Sequence, residues 1–316
     1  MNCDDTEKVI HDCWFLTALF GQIIASIVSI VLSILVVRKC CHLCFHVNTK
    51  VLLTAMLYLY IAHSFLIIIT LTIHLAYYFF TDPCTLSIPS AVCSGLHFPA
   101  VCCMLSFVLL QFFMVVERSV ALWKRLHYES YGPKLAVTLV LLSVILPPTT
   151  VILAMGGLHS PETHIFCGFA DGDSGHNLIG FTWAMCGINL ITLIIASFLE
   201  QAPLPTKVFR SQFVLSASRR RYDHSYYPPF DIISNYFLCG VFWLYSRFLI
   251  IRKAVDKVTY LILNAATYII PYYTVVSPIL MWFTIRWSQQ LKQSRLKNIV
   301  NQTSNDYFNA QKEMWQ

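Results

Sequence analysis

Charge is what this chain has least of. Only 12% of its 316 residues are Asp, Glu, Lys or Arg, while 57% are hydrophobic; soluble domains carry about 25% charged residues. So few charges cannot coat a water-facing surface of this size. That excludes an ordinary soluble domain and leaves lipid to solvate much of the chain. Acidic side chains are scarcer still, 16 in all, and the long apolar runs hold almost none. Paired acids for proton relay or intramembrane proteolysis are therefore missing. Neither a His-Glu-x-x-His zinc motif nor a Gly-x-Ser-x-Gly elbow occurs, so no catalytic set stands out and an enzyme is not expected. Internal repeats and low-complexity runs are absent too, which points to one domain.

What the chain does have is long windows free of Asp, Glu, Lys and Arg: 14–37, 51–81, 83–116, 135–161, 174–199 and 258–285. A helix crosses the hydrocarbon with about 20 apolar residues. Backbone in lipid must satisfy its own hydrogen bonds, so these windows read as helices. A seventh, shorter window, 232–246, is ended by Arg247, whose side chain can snorkel to the headgroups. The expected fold is an all-α membrane protein, a seven-transmembrane helix bundle in one domain over 1–300. Its spans lie near 14–37, 51–79, 95–122, 135–158, 177–200, 230–250 and 258–283, and a polar tail follows over 301–316. The acidic start lacks a basic leader region, so the first window is expected to stay as a span. Ala202-Pro203-Leu204-Pro205 ends the fifth helix and Pro228-Pro229 marks the entry to the sixth. Pro271 and Pro278 remove backbone hydrogen bonds from the last span and permit kinks. Beyond it, Ile285, Leu291 and Leu296 alternate with Arg286, Lys292, Arg295 and Lys297. That pattern predicts a C-terminal amphipathic helix on the inner membrane surface.

Basic residues set the orientation. With the N-terminus outside, the inner segments hold Arg38, Lys39, Lys50, Arg118, Lys124, Arg125, Lys134, Lys207, Arg210 and Arg219 to Arg221, and the tail adds more. The outer segments hold only Lys8, Arg252, Lys253 and Lys257. The positive-inside rule therefore favours N-outside, C-inside; the basic last outer loop is a local exception. The net charge of +6 is then mostly an orientation signal, and a nucleic-acid partner is not expected. The lone sequon, Asn301-Gln302-Thr303, should stay unglycosylated in an inner tail.

Several groups could carry chemistry. Glu117-Arg118 ends the third helix at the inner side. The two can pair, or Arg118 can be released to meet a partner, which makes a two-state element; alternatively the pair is a stop-transfer boundary. Cys40 to His46, reading CCHLCFH, has the residue types of a metal site. A short inner loop is a poor frame for one, so no metal or other cofactor is expected; reduced thiols or thioester-linked acylation fit better. Uncharged polar residues inside the spans are His97, Ser106 and Gln111 on the third, Asn189 and Thr192 on the fifth, Tyr245 on the sixth, and Asn264 and Tyr268 on the seventh. They can line a ligand cavity or serve as helix–helix glue.

Cys93 lies 25 residues before Arg118, about 37 Å of helix and enough to cross the bilayer. This spacing resembles the third helix of rhodopsin-like receptors. The Ser277-Pro278 step resembles their Asn-Pro, with Ser in place of Asn and no Tyr where theirs follows. There is no mid-span Lys in the last helix for a retinal Schiff base, no Asp in the outer half of helix three for an amine ligand, and no Asp in helix two for a sodium site. Glu117-Arg118, Ala121 and Tyr128-Glu129 resemble the inner end of helix three in nematode serpentine chemoreceptors of the Sra superfamily. Leu215, Ser216, Arg221 and Tyr222 look like that family's third inner loop, with two extra residues and Asp223 in place of Gln. Pro278, Ile279 and Trp282 match its last span. The alpha/beta class (Srab) is the best match, with the alpha, beta and epsilon classes open.

The resemblance implies a G-protein-coupled chemosensory receptor in a sensory-neuron, ciliary plasma membrane. Its partners would be an extracellular small molecule of odorant or pheromone class and a heterotrimeric G protein. The switch would be built on Glu117, Arg118, Tyr128, Glu129, Arg221 and Pro278. It also implies a disulfide from Cys93 to Cys167 in the loop between spans four and five, with Cys84 the alternative partner. Cys3 and Cys13 could form a second bridge, but the five outer cysteines are odd in number. Two other readings remain: a ligand-gated channel with its N-terminus inside, which the basic loops disfavour, and a receptor-like partner protein that does not itself signal.

Overall fold

The structure is a computed structural model, and it describes residues 3–41, 46–82, 84, 88, 90–124, 132–155, 175–201, 240, 256, 258–259, 262–263, 265, 268–287, 289–290 and 293–294. Among these the chain is helical and no strand forms. The helices are α1 (Cys3–Ile10), α2 (Cys13–Cys41), α3 (Val47–Phe80), α4 (Ser90–Trp123), α5 (Lys134–Met155), α6 (Gly175–Gln201) and a last helix, α7, over 270–287. Four stretches, Cys13–Cys40, Val47–Phe80, Gly95–Trp123 and Lys134–Leu153, are long and apolar enough to cross a membrane. A shorter apolar run, Trp183–Leu199, lies in α6. The window 230–250 lies outside the described residues apart from Gly240.

Local chemistry sets the helix ends. Asp12 caps α2 by accepting the Phe15 N–H at 2.8 Å. The ring of His46 caps α3 by accepting the Asn48 N–H at 3.3 Å. Gly132 sits at φ 59°, where other residues are strained; Pro133 follows it, and its carbonyl accepts the Val137 N–H at 3.0 Å. This Gly-Pro turn opens α5. Asp256 accepts the Thr259 N–H at 3.0 Å ahead of α7, and this bond holds its exposed carboxyl below the ordinary carboxylate range.

Packing follows chain order: α2 lies on α3, α3 on α4, and α4 on both α5 and α6, while α3 also reaches α5. The main core joins Val36, Leu52, Tyr60, Phe107, Leu110, Tyr273 and Met281. A second core, toward the other end, joins Val9, Phe15, Leu19, Ile67, Leu71 and Tyr78. α1 was not legible in the sequence, yet it turns Val9 and Ile10 inward. The outside of the bundle is apolar: Ile24 is 62% exposed and Phe198 71%. Water would not tolerate such continuous patches, whereas hydrocarbon does.

α7 is shaped by its prolines, and α2 repairs what they break. The helical pattern lapses at 268–269, just before Pro271. The Ala265 carbonyl, whose in-helix donor would be the N–H of Ile269, accepts from Gln22 Nε2 at 2.6 Å. Pro278 has no N–H to give the Thr274 carbonyl; Ser29 Oγ of α2 donates to that oxygen at 2.9 Å. Ser64 Oγ of α3 donates in turn to Ser29 Oγ at 3.1 Å. Gly21 allows the close approach, since a Cβ there would stand 2.8 Å from the Tyr272 hydroxyl. Gln22, Ser26, Ser29 and Ser33, at i, i+4, i+7 and i+11, form one buried polar stripe on an apolar helix.

An ordinary interhelical hydrogen bond in a membrane is worth about 0.6 kcal/mol. The Ser29 bond should exceed that, because Pro278 leaves the Thr274 carbonyl no helical donor. Ser29→Ala is expected to cost about 1–2 kcal/mol of stability, and Gln22→Leu a similar amount. Ser26→Ala should be near neutral, since Ser26 Oγ has no partner among the described residues. Thermal melting of the purified protein in detergent checks the order; equal losses at Ser26 and Ser29 would refute the proline-repair account.

Candidate functional site

Two polar clusters sit along the seam where α7 meets α3 and α4, and a charge pair lies further along α4. The first is a hydrogen-bond chain. Gln111 Nε2 of α4 donates to the Tyr273 hydroxyl at 2.6 Å. Tyr273 lies 3.1 Å from the Tyr60 hydroxyl of α3, and Tyr60 lies 2.7 Å from Ser277 Oγ. Only the Gln111 donor is fixed; either hydroxyl can donate in the Tyr273–Tyr60 and Tyr60–Ser277 contacts. The chain ties three helices together beside Pro278. In a low-dielectric interior such a chain is strong while complete and costly when broken.

The next feature lies further toward the opposite end of the bundle. His63 Nε2 of α3 is 3.2 Å from the Tyr268 hydroxyl, which also approaches Met104 Sδ at 3.8 Å. Phe107 separates the two clusters, edge-on to Tyr60 at 4.8 Å and to His63 at 5.5 Å between ring centroids. His63 is fully buried, and its Nδ1 has no partner among the described residues. His97 of α4 interacts electrostatically with both His63 and His74.

The third feature lies in the last two turns of α4, which runs on to Trp123. Glu117 is buried, 1% exposed, and its Oε2 lies 3.4 Å from Nε of Arg118, whose side chain is 31% exposed. A partly exposed cation is thus held beside a buried carboxylate near the helix end. At the other end of α4, Cys93 is buried against Ile88 and Tyr77. Cys93 and Cys84 are both disulfide-bonded.

The residues singled out from sequence fare differently. Gln111 and Tyr268 fall in the two clusters, and Pro278 shapes the helix that carries them. Ser106 and Asn189 bond back to their own helices, at Cys102 O (2.8 Å) and Met185 O (3.0 Å); Thr192 does the same to Ile188 O at 2.7 Å. Tyr128, Glu129, Cys167, Arg221, Tyr245 and Asn264 lie outside the described residues. One expectation is corrected: Cys13 is an exposed free thiol, so it does not bridge to Cys3. The 8-residue helix α1 separates the two, about 12 Å of rise, beyond the 4.4–6.8 Å Cα span of a disulfide. Cys40 is buried in the main core and His46 caps α3, so neither is presented as a loop ligand, and Cys40 is closed to acylation. Among the described residues no group of three or more His, Cys, Asp or Glu could hold a metal. Sequence reasoning missed Gln22, Ser29, Tyr60, His63, Met104 and Tyr273; the signal for the first two was the polar stripe on α2.

Among the described residues, helices with an apolar exterior and a buried polar seam make an integral membrane protein. The family model for the serpentine type 7TM GPCR receptor class ab chemoreceptors matches residues 1–316, and the chain belongs to that family. No curated protein matches the chain.

Proposed function

We propose that this chain is a seven-span G-protein-coupled chemosensory receptor with its N-terminus outside, in the plasma membrane of a sensory cilium. It binds an extracellular small molecule of odorant or pheromone class and activates a heterotrimeric G protein at its inner face. The observation that carries the reading is the Glu117–Arg118 pair: a buried carboxylate beside a partly exposed guanidinium near the helix end. Release of Arg118 offers a charge-assisted donor to a partner that enters from the cytoplasm. The family supports the class, the disulfide at Cys93 supports an extracellular mouth for α4, and the basic loops support the orientation.

The ligand site belongs at the His63–Tyr268–Met104 cluster, with His97 beside it. Between that cluster and Arg118 lies the hydrogen-bond chain through Tyr273 and Ser277. A ligand that binds the two arrangements of this seam with different affinity shifts the receptor between them. The inner loops, with Tyr128, Glu129 and Arg221, form the rest of the coupling face.

The test is expression in a heterologous cell with a G-protein reporter, an N-terminal tag and a panel of small organic odorants and nematode pheromones. The tag should be read by antibody on unpermeabilised cells, and at least one compound should activate the reporter. A tag accessible only after permeabilisation would overturn the orientation. A ligand-evoked current that persists with G proteins blocked would replace the receptor by a channel.

A further inference from the structure

The inner ends of α2 and α7 carry an arrangement the receptor reading does not use. The Arg286 guanidinium lies 5.0 Å from the centroid of the Trp282 ring, and Lys39 Nζ lies 6.0 Å from the same ring. Arg286 reaches it from one turn further along α7. Lys39 comes from α2, because Val36 and Cys40 share a core with Met281 and Ile285 and so fix the two helix ends side by side. Each cation–ring contact is favourable by itself, but the two cations repel one another. Arg38, also exposed, adds a third positive charge. Among the described residues no carboxylate pairs with either cation. Beside them, Phe283 is 64% and Trp287 51% exposed, aromatic side chains of the kind that settle at a membrane–water boundary.

We propose that Lys39 and Arg286 form a headgroup site for an anionic phospholipid of the inner leaflet, with the Trp282 ring beside both and Phe283 and Trp287 toward the acyl chains. The phosphate supplies the negative charge that the two facing cations lack, at a depth where its acyl chains meet the exposed aromatics. The assignment rests on the receptor reading only for the leaflet that the site faces.

The test is native mass spectrometry of the full-length protein in detergent, titrated with phosphatidylserine or phosphatidylcholine. The wild type is expected to retain phosphatidylserine preferentially. Lys39→Ala and Arg286→Ala should each weaken that retention about fivefold, the effect of about 1 kcal/mol per charge. The exchange pair Lys39→Arg with Arg286→Lys should keep the preference, and Lys134→Ala, at the start of α5, should leave it unchanged. Equal retention of the two lipids by the wild type, or a preference that survives Lys39→Ala with Arg286→Ala, would overturn the proposal. A parallel arm adds glycerophosphoserine; if this soluble headgroup displaces the lipid at equal concentration, the site takes soluble phosphates and the lipid assignment is wrong. Melting in the same detergent identifies any variant that misfolds, and the charge-exchange pair then decides. The assay contains no odorant and no G protein, so its failure is distinct from failure of the receptor reading.

Discussion

Arg118→Ala is expected to reduce G-protein activation to background while the receptor still reaches the cell surface. Arg118 is a third exposed in the last two turns of α4, where on the proposed orientation a G protein can reach it; its neighbour Glu117 is buried. Breaking a fully buried ion pair costs about 3–5 kcal/mol, but exposure and solvent screening shrink that figure here. Folding should therefore survive, and the loss should fall on signalling. Arg118→Lys separates charge from shape. Lysine keeps the attraction to Glu117 but lacks the planar fork that binds carboxylates and carbonyls in pairs, so it should restore stability more fully than coupling. The complementary variant is Glu117→Gln, which keeps the shape and removes the charge that restrains Arg118. If the closed state loses about 1.5 kcal/mol, the worth of one hydrogen bond to a charged group, the ratio of open to closed shifts roughly tenfold. Basal reporter activity should rise accordingly. Wild-type signalling by Arg118→Ala at matched surface density would sink the coupling role; a silent Glu117→Gln would leave the pair as a helix stop.

The helices were legible in the sequence because lipid imposes a simple rule on them. A helix in hydrocarbon needs about 20 apolar residues, and the charge-free windows mark those lengths whatever the helix packs against. α1 obeys no such rule. It is 8 residues long and carries several charges, and only packing reveals that Val9 and Ile10 are core. The site was legible in part. Gln111 and Tyr268 stand out as polar residues in apolar spans, but Tyr60 and Tyr273 pass as aromatic filling until a neighbour's hydroxyl defines their role. The stripe Gln22, Ser26, Ser29, Ser33 has visible helical spacing. Its purpose is set by prolines far away: Gln22 meets Ala265 across 243 residues and Ser29 meets Thr274 across 245. Local pattern shows that a carbonyl is freed by Pro278, but not which helix supplies the donor.

Cys93→Ser should remove most receptor from the cell surface, and its logic runs through the same helix. Cys93 is buried and disulfide-bonded at the end of α4 opposite Arg118. Loss of a native disulfide costs about 2–5 kcal/mol, a large share of the roughly 5–15 kcal/mol that holds a typical domain folded. The serine also leaves a hydroxyl beside Ile88 and Tyr77. Cys13→Ser is the matched control, since that thiol is free and exposed and its loss should change nothing. The partner follows from additivity. If Cys93 pairs with Cys167, then Cys167→Ser should match Cys93→Ser, and the double variant should be no worse than either single one. If Cys93 pairs with Cys84, then Cys84→Ser takes that place and Cys167→Ser is mild. Surface biotinylation measures delivery, and mobility on non-reducing gels reads the bond itself. A Cys93→Ser receptor that reaches the surface at wild-type level with unchanged mobility would show that α4 is not anchored covalently. The switch at Arg118 would then have to work from a helix held at its outer end by packing alone.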